Sequence, residues 1–348
     1  MKAITDAEQD KKSPNRKRII LYILALIFLG SAVYIFLPRI ATLENSLKVL
    51  QSMSVWLVCL AIITEVCSYF GSGYLLKIIM GTQKPGFSIF RGVLITLAAS
   101  SIGLVMGGWI STAATTNYWI SKSEETIEVS PLTGFLPDVY NTVLLIVLAG
   151  IGLLYLLFIH ILTSSQIILY ITIFVIWILG LLVAFFGVRD RKNVERLALW
   201  TVNIFTRFFK RPDKTSAVHN KIDDLYSGLM LLRKNSWIKP AAGSSLNIAL
   251  DMLSLYLLFF AAGHTINIMT LIAGYSIAYI IKFISFFIPG GVGVFEAGMT
   301  AVYTSLGVPA GISVVVVLSY RLFSFWLPSI LGFAATGYLS KIAKQGHK

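Results

Sequence analysis

The feature that most limits what this chain can fold into is a succession of apolar runs, each close to the length of a bilayer crossing. They lie at about 19–37, 54–80, 92–110, 139–160, 166–187, 243–263, 266–288, 292–306 and 311–338. A helix needs roughly 20 apolar residues to cross the hydrocarbon layer. In lipid, every backbone N–H and C=O must be satisfied within the chain, so repeated runs of this length dictate α-helices. The expected fold is all-α, a polytopic transmembrane helical bundle. With 56% hydrophobic and 13% charged residues, little remains from which to build a water-soluble domain. The run at 19–37 follows a basic tail but lacks a clear cleavage site, so it reads as an uncleaved first helix.

Charge sets the orientation. The net charge of +13 comes from 29 Lys and Arg against 16 Asp and Glu. In a soluble protein this would point to nucleic acid; here the membrane accounts for it, and no nucleic-acid partner is expected. The cations gather in the N-terminal tail (Lys2, Lys11, Lys12, Arg16, Lys17, Arg18), between Arg189 and Lys239, and at Lys341, Lys344 and Lys348. The positive-inside rule places all three groups in the cytoplasm, with both termini, and a plasma-membrane location follows. The organisation expected is a basic tail over 1–18 and one membrane domain over 19–348. That domain has a first half of about 19–188, a linker of about 189–238 and a second half of about 239–340. Leu197, Trp200, Ile204 and Phe208 give the linker a helical apolar stripe, which suits an amphipathic helix on the inner leaflet or a solvated connector.

The runs do not all cross. The pair at 139–160 and 166–187 has to begin and end inside to deliver the basic linker, so residues 92–137 must also start and finish there. Two half-helices broken near Gly107 and Gly108 satisfy this. In the second half, Pro289, Gly290 and Gly291 break the runs at 266–288 and 292–306, and Gly293 follows. A helix, a Gly-broken pair and another helix thus occur twice in opposite senses. This predicts two re-entrant helix pairs in an inverted repeat, a design that frames a site at mid-membrane.

The ionisable residues that lie deep in these runs are the candidate site. Arg321 falls about eleven residues into the last run, where a lone cation is expensive and needs a partner, here Glu296 or Asp251. Glu296 is also placed to cap the half-helix that follows the glycines. Glu65 and Asp251 each lie near the middle of the helix that precedes a broken pair. Glu65, with Tyr69 one turn on, suits a proton or headgroup site, or a plain interhelical hydrogen bond. Lys282 lies deep on a re-entrant helix or snorkels on a full span; Tyr320 adjoins Arg321. The group reads either as a buried ion pair fixing helix register or as an aqueous groove for lipid headgroups.

Other chemistries lack their residues. Cys59 and Cys67, about 12 Å apart along one helix, cannot pair with each other, and the four histidines lack metal-site spacing. Gly81 to Gly86 has P-loop-like glycines, but Phe87 stands where the lysine should be, and no hydrolase or dinucleotide motif appears. No cofactor, metal or catalytic residue is expected.

The stretch Pro289-Gly-Gly-Val-Gly-Val-Phe-Glu296, followed by Ser319-Tyr-Arg321 and Trp326-Leu-Pro328, resembles the lysylphosphatidylglycerol synthase transmembrane family, the flippase-domain family of prokaryotic membranes. The resemblance is strong over about 240–340 and rests on Gly107-Gly108 and the hydrophobic layout before that. Relatives often carry a basic residue after the first glycine pair. Here Ile110-Ser-Thr-Ala-Ala-Thr-Thr116 stands instead, which implies a different or less anionic headgroup. Two-module members add a soluble aminoacyltransferase domain; with the chain ending at Lys348, only the translocation half is expected. The resemblance implies a flippase or scramblase for a phospholipid, aminoacylated lipid or glycolipid. Its partners would be membrane lipids with anionic or amine-bearing headgroups, with a homo-oligomer an option. The alternatives are an intramembrane glycolipid transferase and an accessory membrane scaffold.

Overall fold

A computed structural model describes residues 48–81, 86–106, 108–123, 133–160, 163–189, 238–284 and 291–345, and the secondary structure of these residues is helical. The first expected crossing, the basic linker, Gly107, Pro289 and Gly290 lie outside them. Among the described residues, ten helices follow in order. They are α1 (Val55–Met80), α2 (Ile89–Met106), α3 (Gly108–Ser123), α4 (Leu136–Phe158), α5 (Ser164–Arg189), α6 (Ile238–Ala261), α7 (Ile268–Ile284), α8 (Val294–Ser305), α9 (Ala310–Arg321) and α10 (Leu327–Gln345). A π-helical turn, Leu322–Trp326, joins α9 to α10. Among the described residues, α1, α4, α6 and the continuous stretch Ala310–Ile342 are long and apolar enough to cross a membrane.

The centre of the bundle is the antiparallel pair α1 and α6. Ser54 N–H donates to Ala261 O at 3.0 Å, Ser254 Oγ to Ala61 O at 2.9 Å, and Asn247 Nδ2 to Ser68 O at 3.0 Å. These contacts recur every seven residues on both helices, the spacing of a shallow crossing of about 20°. Lipid tails are as apolar as leucine, so such helices associate by close packing and polar contacts rather than by escape from water. Small residues supply the closeness. A Cβ added at Gly71 would lie 2.6 Å from Asn247 N, and one at Gly243 would lie 2.9 Å from Leu75 Cα.

Around this seam, α2 packs on α10 and α4 on α7. Both contacts are again made over glycine: a Cβ at Gly332 would meet Leu97 O at 2.1 Å, and one at Gly152 would meet Ala273 Cα at 2.6 Å. Helices α2 and α3 form a hairpin. Phe87, just before α2, and Trp119 and Ile120, late in α3, share one apolar cluster with Leu76 and Met80 of α1 and Ala335 and Leu339 of α10. Helices α7 and α8 form a second hairpin, closed by Tyr303 OH donating to Leu271 O at 3.0 Å. Its free ends lie beside Phe259, late in α6, whose ring centroid is 4.9 Å from that of Tyr303. The two hairpins therefore open towards opposite ends of the bundle. Lys77, Arg91, Lys122, Lys239 and Lys341 sit near those helix termini that converge at the α2–α3 end.

Valine at Gly71 or Gly243 should force α1 and α6 apart and cost about 1–3 kcal/mol each by overpacking. Gly180→Ala adds a Cβ with nothing within 4 Å and should be neutral. Unfolding midpoints of the purified proteins in detergent check this, and a Gly71→Val protein as stable as wild type would contradict the packing described.

Candidate functional site

Two acids face the middle of the seam. Glu65 is the eleventh of the 26 residues of α1, and Asp251 the fourteenth of the 24 of α6. Each is therefore about 15–22 Å from either end of its helix. Both are buried, Glu65 to 3% exposure and Asp251 to 9%, and the Glu65 carboxyl faces Asp251 and Ser254.

Asp251 is held by a fan of tyrosines. Tyr275 and Tyr279 of α7 donate to its Oδ2, the latter at 3.1 Å, and Tyr320 of α9 donates to its Oδ1 at 2.7 Å. The hydroxyls of Tyr279 and Tyr320 are also 2.7 Å apart. Residues 275 and 279 are one helical turn apart, so their side chains leave α7 on the same face. A carboxylate with donors on both oxygens is satisfied without a cation.

The one cation whose deep side chain is described is committed elsewhere. Arg321 Nε donates to Glu296 Oε1 at 2.6 Å, and the Arg321 side chain is 4% exposed. Its guanidinium carbon lies 4.8 Å from the centroid of Phe295 and 3.9 Å from that of Phe325. A planar, weakly hydrated guanidinium stacks on aromatic faces at less desolvation cost than a strongly hydrated ammonium. Local chain geometry sets up Glu296. Gly291 and Gly293 have φ of 63° and 85°, left-handed values that glycine adopts without strain. They turn the chain so that Gly293 N–H meets Glu296 Oε2 at 2.6 Å at the start of α8. The expected capping role and the expected ion pair thus fall on one carboxylate, one oxygen for each.

Of the two partners open to Arg321 in the sequence, the structure uses Glu296. The two clusters are continuous, since Tyr279 packs edge-on against Phe295 at 5.2 Å and Tyr320 precedes Arg321. Tyr69 ties the π turn to α1, its hydroxyl donating to Ser324 O at 3.4 Å. Such a turn frees carbonyls from the i→i+4 ladder, often at functional sites. Lys282 belongs to α7, but its side chain lies outside the described residues, as do Gly107, Pro289 and Gly290; Gly108 opens α3. The sequence reading missed Tyr275, Tyr279, Ser254 and Asn247. A Tyr-x3-Tyr spacing in an apolar run was the available signal for the first two.

The fold is thus that of a polytopic helical membrane protein with a buried polar centre midway along its central helices. Residues 21–332 match the family described as Lysylphosphatidylglycerol synthase TM region, and the chain belongs to that family. A UPF0104 membrane protein of Methanothermobacter thermautotrophicus is 28% identical over 175 residues, 49% of this chain and 52% of that protein. In that match the chain spans about half the relative's length. A second UPF0104 membrane protein, of Pyrococcus horikoshii, is 24% identical over 324 residues, 88% of this chain and 94% of that protein.

Removing either partner of the Arg321–Glu296 pair leaves an uncompensated buried charge, at about 3–5 kcal/mol. Arg321→Met and Glu296→Gln should each lower the unfolding midpoint, whereas the double variant should recover part of the loss. A double variant that loses the sum of the two single effects would mean that the charges do not interact.

Proposed function

We propose that the chain moves lipids between leaflets as a flippase or scramblase, without altering them covalently. The observation that carries this is a buried polar centre in which Asp251 and Glu65 lie in the middle of membrane-length helices and the α7–α8 hairpin supplies Tyr275, Tyr279 and Glu296, in a bundle whose two hairpins open towards opposite ends. In this reading the hairpins are re-entrant, and the paired contacts α1 with α6, α2 with α10 and α4 with α7 are those of an inverted repeat. Polar residues at membrane depth mark substrate or ion pathways, and inverted repeats bring such residues to the midplane.

Headgroups would pass Asp251, Glu65 and the hydroxyls of Tyr275, Tyr279 and Tyr320 while their tails stay in lipid. Arg321 and Glu296 keep α8 docked on α9 and so hold the path in shape. The family's description names lysylphosphatidylglycerol, a phospholipid whose lysyl ester adds two amines to its phosphate, and headgroups of that general kind suit a centre with carboxyl groups and hydroxyl donors. The end bearing Lys77, Lys122, Lys239 and Lys341 would face the cytoplasm of a plasma membrane.

Purified protein in vesicles with fluorescent phospholipid tests the proposal, with flux read by dithionite quenching and the recovered lipid by mass spectrometry. Asp251→Asn weakens hydrogen bonds to a charged group worth about 1.5–3 kcal/mol each. It should slow translocation ~10–100-fold while leaving the lipid chemically unchanged. Wild-type flux in this variant, or covalently altered lipid with the native protein, would sink the reading.

A further inference from the structure

Glu65 is set apart from the other buried acids by the neighbours it has. Its Oε2 is buried with no hydrogen-bond partner among the described residues, and the residue as a whole is 3% exposed. Asp251, which it faces, already accepts tyrosine donors on both oxygens. Ser254, which it also faces, spends its single hydroxyl hydrogen on Ala61 O at 2.9 Å. Tyr69, one turn on, gives its hydrogen to Ser324 O, and Ser68 gives its own to the Glu65 main-chain carbonyl at 2.7 Å.

Asp251 therefore presents only acceptors to the Glu65 carboxyl, and the hydroxyl hydrogens of Ser254, Tyr69 and Ser68 are directed at main-chain carbonyls. A carboxylate has only acceptors to offer, whereas a carboxylic acid has one donor. Two carboxyl groups buried face to face cannot both ionise without a large penalty, so one of them holds a proton. Asp251, with donors on both oxygens, is built as the ionised member, which leaves Glu65 as the acid. Charge balance agrees. Arg321 is paired with Glu296, so two further bare carboxylates side by side at this depth would be strongly unfavourable. The groups facing Glu65 are Tyr69 on its own helix, Asp251 and Ser254 on α6, Tyr279 on α7 and Tyr320 on α9, with the Arg321–Glu296 pair beyond.

We propose that Glu65 and Asp251 form a one-proton site, with the proton seated on Glu65 and donated to Asp251 or Ser254, and that this proton is the coupling ion for lipid movement. The coupling half rests on the translocation reading above; the proton site does not. In the step itself, Glu65–COOH releases one proton to water and becomes a carboxylate, and reprotonation restores it. Deprotonation leaves two adjacent carboxylates, which the seam tolerates only if they separate or if a cationic group arrives between them. Loading and unloading the proton thereby favours different arrangements around the seam.

Infrared spectroscopy of the full chain in lipid nanodiscs reads the proton without requiring transport. At neutral pH the wild type should show the C=O stretch of a protonated carboxylic acid. Glu65→Gln should remove that band, and Asp251→Asn should shift it by changing its hydrogen-bond partner. No such band in the wild type, or a band unchanged in both variants, overturns the proton site. Two variants are used so that poor folding of one does not remove the test. In proteoliposomes, a pH gradient without sodium should change the wild-type lipid flux severalfold and leave Glu65→Gln flux the same with and without the gradient. A wild-type flux that ignores the pH gradient, or responds only to sodium, overturns the coupling. An intact infrared band with no lipid movement under any condition would uphold the proton site and reject the lipid reading instead.

Discussion

The close approach of α1 and α6 is the contact on which the rest of the structure depends. Its residues are small where the helices touch, and its polar contacts run from one main chain to the other or from a short side chain to a main chain. Ser254 reaches Ala61 O and Asn247 reaches Ser68 O, so each bond is possible only at short interhelical distance. In lipid there is no large gain from hiding apolar surface, and the seam is held by packing and these bonds. One consequence is chemical. Two helices this close, each with an acid near its middle, must bring those acids together.

Once Glu65 and Asp251 are adjacent, the surrounding elements are arranged to satisfy them. Helices α7 and α9 supply tyrosines whose hydroxyls donate to Asp251, which avoids placing a second cation at this depth. Arg321 is spent on Glu296 and lies between two phenyl rings. A buried pair of this kind contributes little net stability, but breaking it is costly. Its effect is to fix where α8 begins relative to where α9 ends, and so to hold the Gly291–Gly293 turn in place. The π turn that follows Arg321 offers Ser324 O to Tyr69, which carries the same constraint back to α1.

Much of this was legible in the sequence because lipid leaves the chain few choices. Apolar runs of bilayer length had to be helices, and glycines at 107–108 and 290–293 had to interrupt them. Glu65, Asp251, Glu296 and Arg321 had to be shielded. What the sequence could not convey was who shields whom. Glu296 and Asp251 were equally plausible partners for Arg321, and only the path of the chain through Gly293 decides between them. Tyrosine is common at membrane interfaces, so the Tyr-x3-Tyr spacing at 275 and 279 marked a shared helix face but not what that face meets until α7 was placed against α6. The π turn has no compositional signature at all, since Leu322–Trp326 would continue an α-helix equally well by propensity. The small-residue contacts at Gly71, Gly152, Gly243 and Gly332 become meaningful only in pairs, and pairing is a tertiary property.

The site lies on a boundary between two kinds of element. Glu65 and Asp251 belong to the seam, where added bulk at Gly71 or Gly243 has no room and sliding would break cross-helix bonds along its length. Tyr275 and Tyr279 belong to the α7–α8 hairpin, which meets the seam through those hydroxyls and through an apolar cluster that joins Leu271, Met299 and Tyr303 to Leu255, Leu258 and Phe259. Any displacement of that hairpin against the seam must withdraw donors from Asp251. A carboxylate that loses its donors has to regain them from water, from a headgroup or from a proton. The chemistry of Asp251 and the position of the hairpin are therefore one variable seen from two sides, which is the physical requirement for coupling an ion to movement of a substrate.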